Sequence, residues 1–174
     1  MQRAIAAGSM LNKVMESTDI AIIQEPYVLH GKVAGLGLGL RLSVIHARCA
    51  RPSAVLVCAN RNIDIQFCEE YSDANVACAD MIIQGKRTIW VSVYHTFGEP
   101  IRHTLNKIDK IMRHFGACDV IIGGDFNVHS PVWGGEEHDE EADDLLEFLA
   151  EHGLHILNDP DSPQLLMAQE GQVG

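Results

Sequence analysis

The chain has 174 residues, of which 47% are hydrophobic, and its mean hydropathy is +0.01, so the composition predicts one folded domain and argues against disorder. The longest apolar run, Ala54 to Ala59, is far shorter than the roughly 20 residues of a membrane-spanning helix. The N-terminal residues fit the pattern of a signal peptide poorly. We therefore expect a soluble, intracellular domain with no membrane partner. The net charge of −11 is unevenly distributed, because residues 114–174 hold 14 acidic residues and no Lys or Arg. This acidic third is therefore not expected to bind phosphate backbones by charge alone. A cation-dependent site in this part of the chain is still possible.

The first part of the chain predicts a helix, a buried strand and a loop. Apolar residues recur at helical spacing over residues 2–16. Residues 20–23 form a continuous apolar run, which is typical of a strand buried on both faces, and Pro26 excludes further ladder pairing. The glycine-rich residues 31–39 predict a flexible turn and not a dinucleotide-binding loop, because a strand and not a helix follows them.

The middle of the chain is rich in strand-forming residues and has no predicted helix. Gly85 and Lys86 predict a hairpin turn before the last strand. Because the segments follow one another directly, we expect an antiparallel meander. The predicted strands are Leu40–Ile45, Ala54–Ala59, Ile63–Phe67, Ala74–Ile83 and Thr88–Tyr94.

Two helices and two short strands are predicted in the remainder. Pro100 is expected to open a helix that reaches about Phe115 and carries one apolar stripe. The acidic run from Glu136 to Asp144 is interpreted as a solvated face. The other predicted elements are a strand over Asp119–Gly123, a helix over Glu140–His152 with Gly153 as its C-cap, and a strand over Leu154–Leu157.

The five cysteines do not have the spacing of a metal site or a redox motif. Their number is odd, no pair forms Cys-x-x-Cys, and no Cys/His cluster is visible in the sequence. We therefore expect buried, small hydrophobic side chains in a reducing compartment. The residues are Cys49, Cys58, Cys68, Cys78 and Cys118.

The strongest chemical signal is a buried strand that passes through Gly123 and Gly124 and stops at Asp125. Glycines let a backbone turn sharply and let a substrate approach closely. Asp125 and Asn127 are two residues apart, so an extended backbone would direct both side chains to the same face. A carboxylate beside an amide can orient a water and hold the group under attack. Taken alone, Asp125 could equally cap a turn.

Two other predicted strands end in polar groups that suit phosphate chemistry. Glu25 follows a buried strand, and a carboxylate at a strand end suits Mg²⁺, which prefers one or two carboxylates with water and phosphate. Strand alternation places Trp90, Ser92 and Tyr94 on one face, where the phenol could hydrogen-bond a phosphate oxygen. Taken singly, Glu25 could be a solvated loop residue and Tyr94 a core or rim residue. Their joint order favours a site.

Ordered motifs cover nearly the whole chain: Gln24–Tyr27, Val91–Tyr94, Gly123–Gly134, and Leu157–Asn158 followed by Ser162–Pro163. On these motifs the chain resembles the endonuclease/exonuclease/phosphatase superfamily, and within it the apurinic-endonuclease-like domain of non-LTR retrotransposons. The resemblance implies an α+β fold, in which a two-sheet β-sandwich is flanked by helices in four αββα layers. It also implies hydrolysis of DNA phosphodiester bonds with Mg²⁺, or with Mn²⁺ in its place.

The resemblance assigns expected roles to four residues. By position, Glu25 would ligate the metal, and Tyr94 would contact the scissile phosphate. Asp125 would orient or activate the attacking water, and Asn127 would help to hold the phosphate and its developing charge. The metal would act as a Lewis acid and stabilise the leaving oxyanion. His129 stands at a frequent family position, and we interpret it as a loop-structuring residue.

The resemblance also sets expectations for the two ends. Family members begin with a strand that carries a metal-site Asn and end with a segment whose Asp and His complete the catalytic centre. Neither segment is found within residues 1–174, so we expect a partial domain, incomplete at both termini and impaired as an enzyme. Two hypotheses stay open: a nuclear DNA endonuclease domain, with a reverse transcriptase domain in its parent polyprotein, and a truncated, inactive remnant that could bind a partner. The motif from His129 to Gly134 disfavours a third, a phosphatase for small phosphoesters.

Overall fold

The computed structural model describes residues 5–36, 42–157 and 165–169. The predicted Asn158 and Ser162–Pro163 motifs and the predicted strand start at Leu40 lie outside these residues. Short 3₁₀ turns cover Glu69–Tyr71 and Pro131–Trp133. The helices are α1 (Ile5–Val14), α2 (Ile101–Phe115) and α3 (Glu140–His152). The strands are β1 (Ile20–Gln24), β2 (Val28–Leu29), β3 (Lys32–Val33), β4 (Ser43–Ile45), β5 (Ala54–Cys58), β6 (Asp64–Phe67), β7 (Val76–Ile83), β8 (Lys86–Tyr94), β9 (Asp119–Asp125), β10 (His155–Ile156) and β11 (Leu165–Gln169).

Two sheets pack face to face, and the helices cover their outer faces. One sheet has the order β1-β5-β4, and the other has the order β10-β11-β9-β8-β7-β6. A small hairpin of β2 and β3 stands apart from both. The predicted α+β sandwich with four αββα layers is therefore confirmed, and no helix among the described residues is long and apolar enough to cross a membrane.

The apolar residues divide into three clusters that correspond to the interfaces between layers. Met15 and Leu11 of the α1 segment pack on the outer face of the small sheet, against Ile23. Ile22 and Trp90 contribute to the cluster between the two sheets. The third cluster joins the six-stranded sheet to α2 and α3, and it includes the apolar stripe predicted for α2: Ile101, Leu105, Ile108, Ile111 and Met112. Period-2 alternation along β8 separates the last two clusters, as the sequence indicates.

The expected single meander is wrong for β4 and β5. These two strands pair with β1 in the small sheet, whereas only β6, β7 and β8 form a meander. The fully buried sequence of β5 explains its central position, because both of its faces are covered by apolar clusters. The sequence analysis also missed β11, which lies between β10 and β9.

The acidic run before and within α3 is more than a solvated face. The Glu141 carboxylate accepts the backbone N–H of Ile101 at 2.9 Å, which satisfies an otherwise free donor at the start of α2. Asp144 pairs with Arg102 of α2 at 2.5 Å. Two other carboxylates of the run contact imidazoles, Asp139 with His129 and Asp143 with His138. Carboxylates of this run therefore hold α3 against α2 and against the preceding loop.

The cysteines are free thiols, and Cys58 and Cys78 are buried as expected. Cys49, Cys68 and Cys118 are only half-buried. Cys68 and Cys78 face each other one residue beyond the last pair of β6 and β7, a contact that was not predicted. The sequence hides this contact, since ten positions separate the two residues along the chain.

Close packing requires both glycines of β9. A Cβ atom at Gly123 would lie 2.7 Å from Cδ1 of Ile22, and one at Gly124 would lie 2.7 Å from the Val93 carbonyl oxygen. β9 continues through both glycines and ends at Asp125, two residues beyond the predicted strand end at Gly123. Gly123 allows β1 to approach β9 closely.

Gly124→Ala is expected to destabilise the protein more than Gly123→Ala. The Val93 carbonyl cannot retreat without disturbing the β8–β9 ladder, whereas the Ile22 side chain can adopt another rotamer. We expect Gly124→Ala to lower the free energy of unfolding by about 1–3 kcal/mol, as overpacked cores do, and Gly123→Ala to lower it by less. Urea denaturation of both variants measures the difference. A Gly123→Ala effect equal to or larger than that of Gly124→Ala would contradict this account.

Candidate active site

Three strand ends that are distant in sequence meet at one rim of the sandwich. Tyr94 ends β8 and Asp125 ends β9, and the two residues are direct register partners because these strands run parallel. Glu25 follows directly after β1, which packs over β8 and β9. Parallel strands joined by α2 thus bring Tyr94 and Asp125 side by side, and the sheet-to-sheet packing adds Glu25.

A buried amide sets the position of β1 over the larger sheet. Gln24 donates from Nε2 to the Ser92 hydroxyl and to the Gly123 carbonyl, both at 3.3 Å. The Ser92 hydroxyl in turn donates to the Ile23 carbonyl at 3.1 Å. Both polar side chains are nearly inaccessible to solvent, so breaking these bonds would leave buried polar groups without partners. This bridge fixes the register of β1, and therefore the position of Glu25.

The Tyr94 phenol lies near both carboxylates of the rim and is hydrogen-bonded to that of Glu25. Its hydroxyl donates to Oε1 of Glu25 at 3.2 Å. Burial raises the pKa of Tyr94 above its ordinary value of 10.0, and the charges of Glu25 and Asp125 raise it further, while a hydrogen bond from the Asn127 amide lowers it. Tyr94 is therefore a neutral hydrogen-bond donor at physiological pH. Glu25, Asp125 and Asn127, the other three residues predicted for the site, all act on the hydroxyl of Tyr94.

Two of these residues adopt the left-handed backbone conformation. Glu25 has φ of 47° and Asn127 has φ of 49°, a region that costs non-glycine residues about 1–3 kcal/mol and is found often at functional sites. The expectation that Asp125 and Asn127 leave an extended backbone together is therefore wrong. The chain turns after Asp125, and the Asn127 N–H donates back to Oδ1 of Asp125 at 3.2 Å.

His95 is a site-supporting residue that the sequence analysis missed. Its N–H donates to the Asp125 carbonyl at 2.8 Å, and its carbonyl accepts from Nδ2 of Asn127 at 2.6 Å. The imidazole is 1% exposed, and Nδ1 lies 2.9 Å from the Thr104 hydroxyl on α2. His95 thus connects the ends of β8 and β9 to a helix. Its place directly after Tyr94 was the only signal in the sequence.

His129 lies in the loop that leaves the rim. It lines a cleft of about 190 Å³ together with Asp125, Asn127 and Trp133. Its N–H and its Nδ1 both lie against Oδ2 of Asp139, at 2.7 Å and 3.0 Å. These contacts lower the pKa of the Asp139 carboxyl, the backbone hydrogen bond being the larger cause. They also anchor the loop to the start of α3, as expected for a loop-structuring residue.

The donors at the rim suit a divalent cation. Glu25 and Asp125 supply two carboxylates whose charges act on the same phenol. Within the described residues, no group of three or more His, Cys, Asp or Glu side chains could hold a metal. Mg²⁺ does not require one, because one or two carboxylates commonly bind it, with waters and substrate phosphate as the remaining ligands. The residues present therefore fit such an ion.

Residues 88–172 match a family model described as endonuclease-reverse transcriptase. No curated protein sequence matches the chain significantly. This family match includes Tyr94, Asp125 and Asn127, and it lies C-terminal to Glu25.

Solved structures give a match over almost the full chain. The endonuclease domain of TRAS1, a telomere-specific non-LTR retrotransposon, is 25% identical, with a TM-score of 0.81 over 97% of this chain and 82% of that one. A mannosyl-6-phosphatase of Bacteroides thetaiotaomicron is 13% identical, with a TM-score of 0.63 over 97% and 76% of the two chains. An endonuclease/exonuclease/phosphatase of Bacteroides vulgatus is 15% identical, with a TM-score of 0.61 over 97% and 79%. The last two show the fold alone.

Ultraviolet titration of the Tyr94 phenol tests the geometry of the rim without any assay of activity. We expect the difference titration of wild type and Tyr94→Phe to show a midpoint above pH 10.0, and Glu25→Gln to lower that midpoint, because one negative charge near the hydroxyl is removed. Since the folded pKa is raised, the contribution of Tyr94 to stability is complete below pH 10.0 and is lost as the pH rises through the folded pKa.

Glu70→Gln is the matched control for this titration. The charge of Glu70 raises the pKa of Tyr71, so this variant should move the Tyr71 midpoint and leave that of Tyr94 in place. A Tyr94 midpoint that does not respond to Glu25→Gln would show that the carboxylate does not lie beside the phenol.

Proposed function

Since the chain has the fold of the endonuclease/exonuclease/phosphatase superfamily, we propose that it is a metal-dependent endonuclease domain of retrotransposon origin, which nicks target DNA by hydrolysing phosphodiester bonds. The observation that carries this proposal is the convergence of Glu25, Asp125 and Asn127 on the Tyr94 hydroxyl at the rim. The match to an endonuclease-reverse transcriptase family and to the TRAS1 endonuclease domain supports the choice of substrate.

Each rim residue has a chemical role that its environment supports. Asp125 stays within reach of the substrate at a half-buried strand end, where its carboxylate accepts a proton from the attacking water and orients it. The phenol of Tyr94 is protonated at physiological pH, since even its ordinary pKa of 10.0 is well above neutral, and it donates a hydrogen bond to an oxygen of the scissile phosphate. The amide of Asn127, held by the His95 carbonyl, stabilises the charge that develops on that phosphate.

Glu25 is the residue proposed to hold the divalent cation, with Asp125 nearby. A bound Mg²⁺ or Mn²⁺ supplies Lewis acidity and stabilises the charge on the leaving oxygen. The hydrogen bond between Tyr94 and Glu25 orients this carboxylate before substrate arrives. Glu25 and Asp125 would share their negative charge with a bound cation, which would let a phosphate approach an otherwise acidic part of the chain.

The proposed partners follow from the same resemblance. DNA is the substrate, and a reverse transcriptase domain is the expected partner within the parent polyprotein, as the description of the matching family suggests. An enzyme that nicks chromosomal DNA for insertion would act in the nucleus. The acidic run does not oppose DNA binding with its full charge, because its Asp144 carboxylate already pairs with Arg102.

Nicking of supercoiled plasmid by the purified chain tests this function. We expect nicking with Mg²⁺ or Mn²⁺ and none after chelation by EDTA. Asp125→Asn should lower the rate by about 10²–10⁴-fold, which is the usual contribution of a general base. Tyr94→Phe should lower it by about 10–10³-fold, because one donor to the phosphate is lost.

Glu137→Gln is the control, since Glu137 is an exposed carboxylate outside the rim. It should nick DNA at the wild-type rate. A chain that melts cooperatively yet nicks DNA with neither metal would contradict an active endonuclease and would support the inactive remnant. Hydrolysis of a small aryl phosphate in place of DNA would instead indicate a phosphatase.

A further inference from the structure

We propose that Cys68 and Cys78 form a peroxide-reactive dithiol, which closes to a cross-strand disulfide at the outer edge of the six-stranded sheet. This site lies in the β6–β7 hairpin, whereas the rim residues follow β1, β8 and β9. The proposal therefore stands independently of the endonuclease function. It rests on two features: the register of the two residues and the different burial of their thiols.

The register of β6 and β7 places the two residues directly opposite each other. The last pair of the ladder is Phe67 with Ala79, so Cys68 and Cys78 are the next pair, and the Cys68 N–H donates to the Cys78 carbonyl at 3.0 Å. Opposed residues in such a pair have Cα atoms about 5.5 Å apart, within the range of roughly 4.4–6.8 Å that disulfides span. The two thiols are close enough for each to shift the pKa of the other.

The Ser72 side chain replaces one of the two backbone hydrogen bonds expected between Cys68 and Cys78. The second backbone bond expected between the two cysteines is replaced by the Ser72 hydroxyl, which donates to the Cys68 carbonyl at 2.8 Å and accepts the Cys78 N–H at 3.0 Å. One direct bond and one hydroxyl bridge thus connect the strands here. The backbone can adjust to a disulfide with less disturbance than at a pair held by two direct bonds.

The two thiols differ in solvent exposure and in pKa. One suits a cysteine that reacts with the oxidant, and the other suits a cysteine that then forms the disulfide with it. Cys68 is half-buried, and its interaction with the Cys78 thiol is the main cause that lowers its pKa. Its partial burial and the charge of Asp80 act in the opposite direction, and Arg87, which pairs with Asp80 at 2.7 Å, contributes least. Cys78 is fully buried, and the interaction with Cys68 and its burial raise its pKa. Because the thiolate is the nucleophile, Cys68 is the residue that reacts first.

The reaction balances with hydrogen peroxide as the oxidant. The Cys68 thiolate attacks one peroxide oxygen, the O–O bond breaks, and the other oxygen leaves as hydroxide, which is protonated to water; Cys68 becomes a sulfenic acid. The Cys78 sulfur then attacks the Cys68 sulfur, and the S–O bond breaks. The oxygen leaves with the Cys78 proton as a second water. Two thiols lose two electrons in total, and the peroxide gains them.

The disulfide would close the nine-residue loop of residues 69–77 and attach the edge strand β6 to β7. Closing a loop lowers the conformational entropy of the unfolded chain, so the oxidised protein should melt at a higher temperature than the reduced protein. Edge strands otherwise expose unpaired backbone groups, and a covalent link limits their separation from the sheet.

The test uses the full reduced chain and hydrogen peroxide as the probe. After treatment, free thiols are alkylated and peptides are mapped without reduction. We expect one peptide pair, joined through Cys68 and Cys78 and lighter by two hydrogen atoms than the sum of the reduced peptides. Cys68→Ser should abolish the link. Cys78→Ala should leave a sulfenic acid on Cys68 that a dione reagent traps, and Cys78→Ser serves if the alanine variant does not fold.

Cys49→Ser and Cys118→Ser are the matched controls. Both thiols are half-buried like Cys68, and Cys118 also lies close enough to Arg87 for their charges to interact. Both variants should form the Cys68–Cys78 link at the wild-type rate, and Cys68→Ser should consume peroxide at least about tenfold more slowly. A link between Cys68 and Cys118, first oxidation at Cys49, or no disulfide in the folded wild type would each overturn the proposal.

Discussion

The buried amide of Gln24 is the contact on which the arrangement of the rim depends. It reaches from β1 to the Ser92 hydroxyl on β8 and to the Gly123 carbonyl on β9, so it adds buried polar contacts to an interface between the two sheets that consists mainly of apolar side chains. Apolar contacts tolerate small shifts, whereas a buried hydrogen bond is lost when its partners move apart. A shift of one residue along β1 would direct Glu25 to the opposite face of the sheet. The polar bridge therefore gives the sandwich one alignment, in which a carboxylate reaches the Tyr94 hydroxyl.

Support behind the rim is also polar and buried. The His95 backbone contacts both Asp125 and Asn127, and its imidazole is attached to Thr104 on α2. This support stabilises the left-handed backbone of Asn127, which would be unfavourable in isolation. A free Nε2 atom remains buried on the same ring, a cost that an apolar residue would avoid. The buried His95 therefore holds the Asn127 amide in a fixed position at some cost to the stability of the fold.

Comparison of the helices with the strands shows which features local sequence patterns can predict. The amphipathic stripe of α2 and the glycine after α3 predicted both helices with their observed bounds, because helical periodicity and end signals are encoded within a few residues. The meander prediction was wrong at β5, since nothing local states which of two sheets a buried strand joins. Similarly, the acidic residues of α3 look solvated in sequence, and only the position of α2 provides Arg102 and the Ile101 N–H as partners.

The sequence by itself determined the residue types of the site and their order: a carboxylate, a phenol, and a carboxylate followed by an amide, each at or just after the end of a predicted strand. Strand ends and turn residues depend on a few neighbouring residues, so they can be predicted from the sequence without knowledge of the fold. Tertiary structure alone decided that these groups share one hydroxyl, that the chain turns back between Asp125 and Asn127, and that Cys68 contacts Cys78. Each of these results depends on strand pairing or on the packing of two sheets. Such contacts join residues that are far apart along the chain, and the sequence between them does not indicate that they meet.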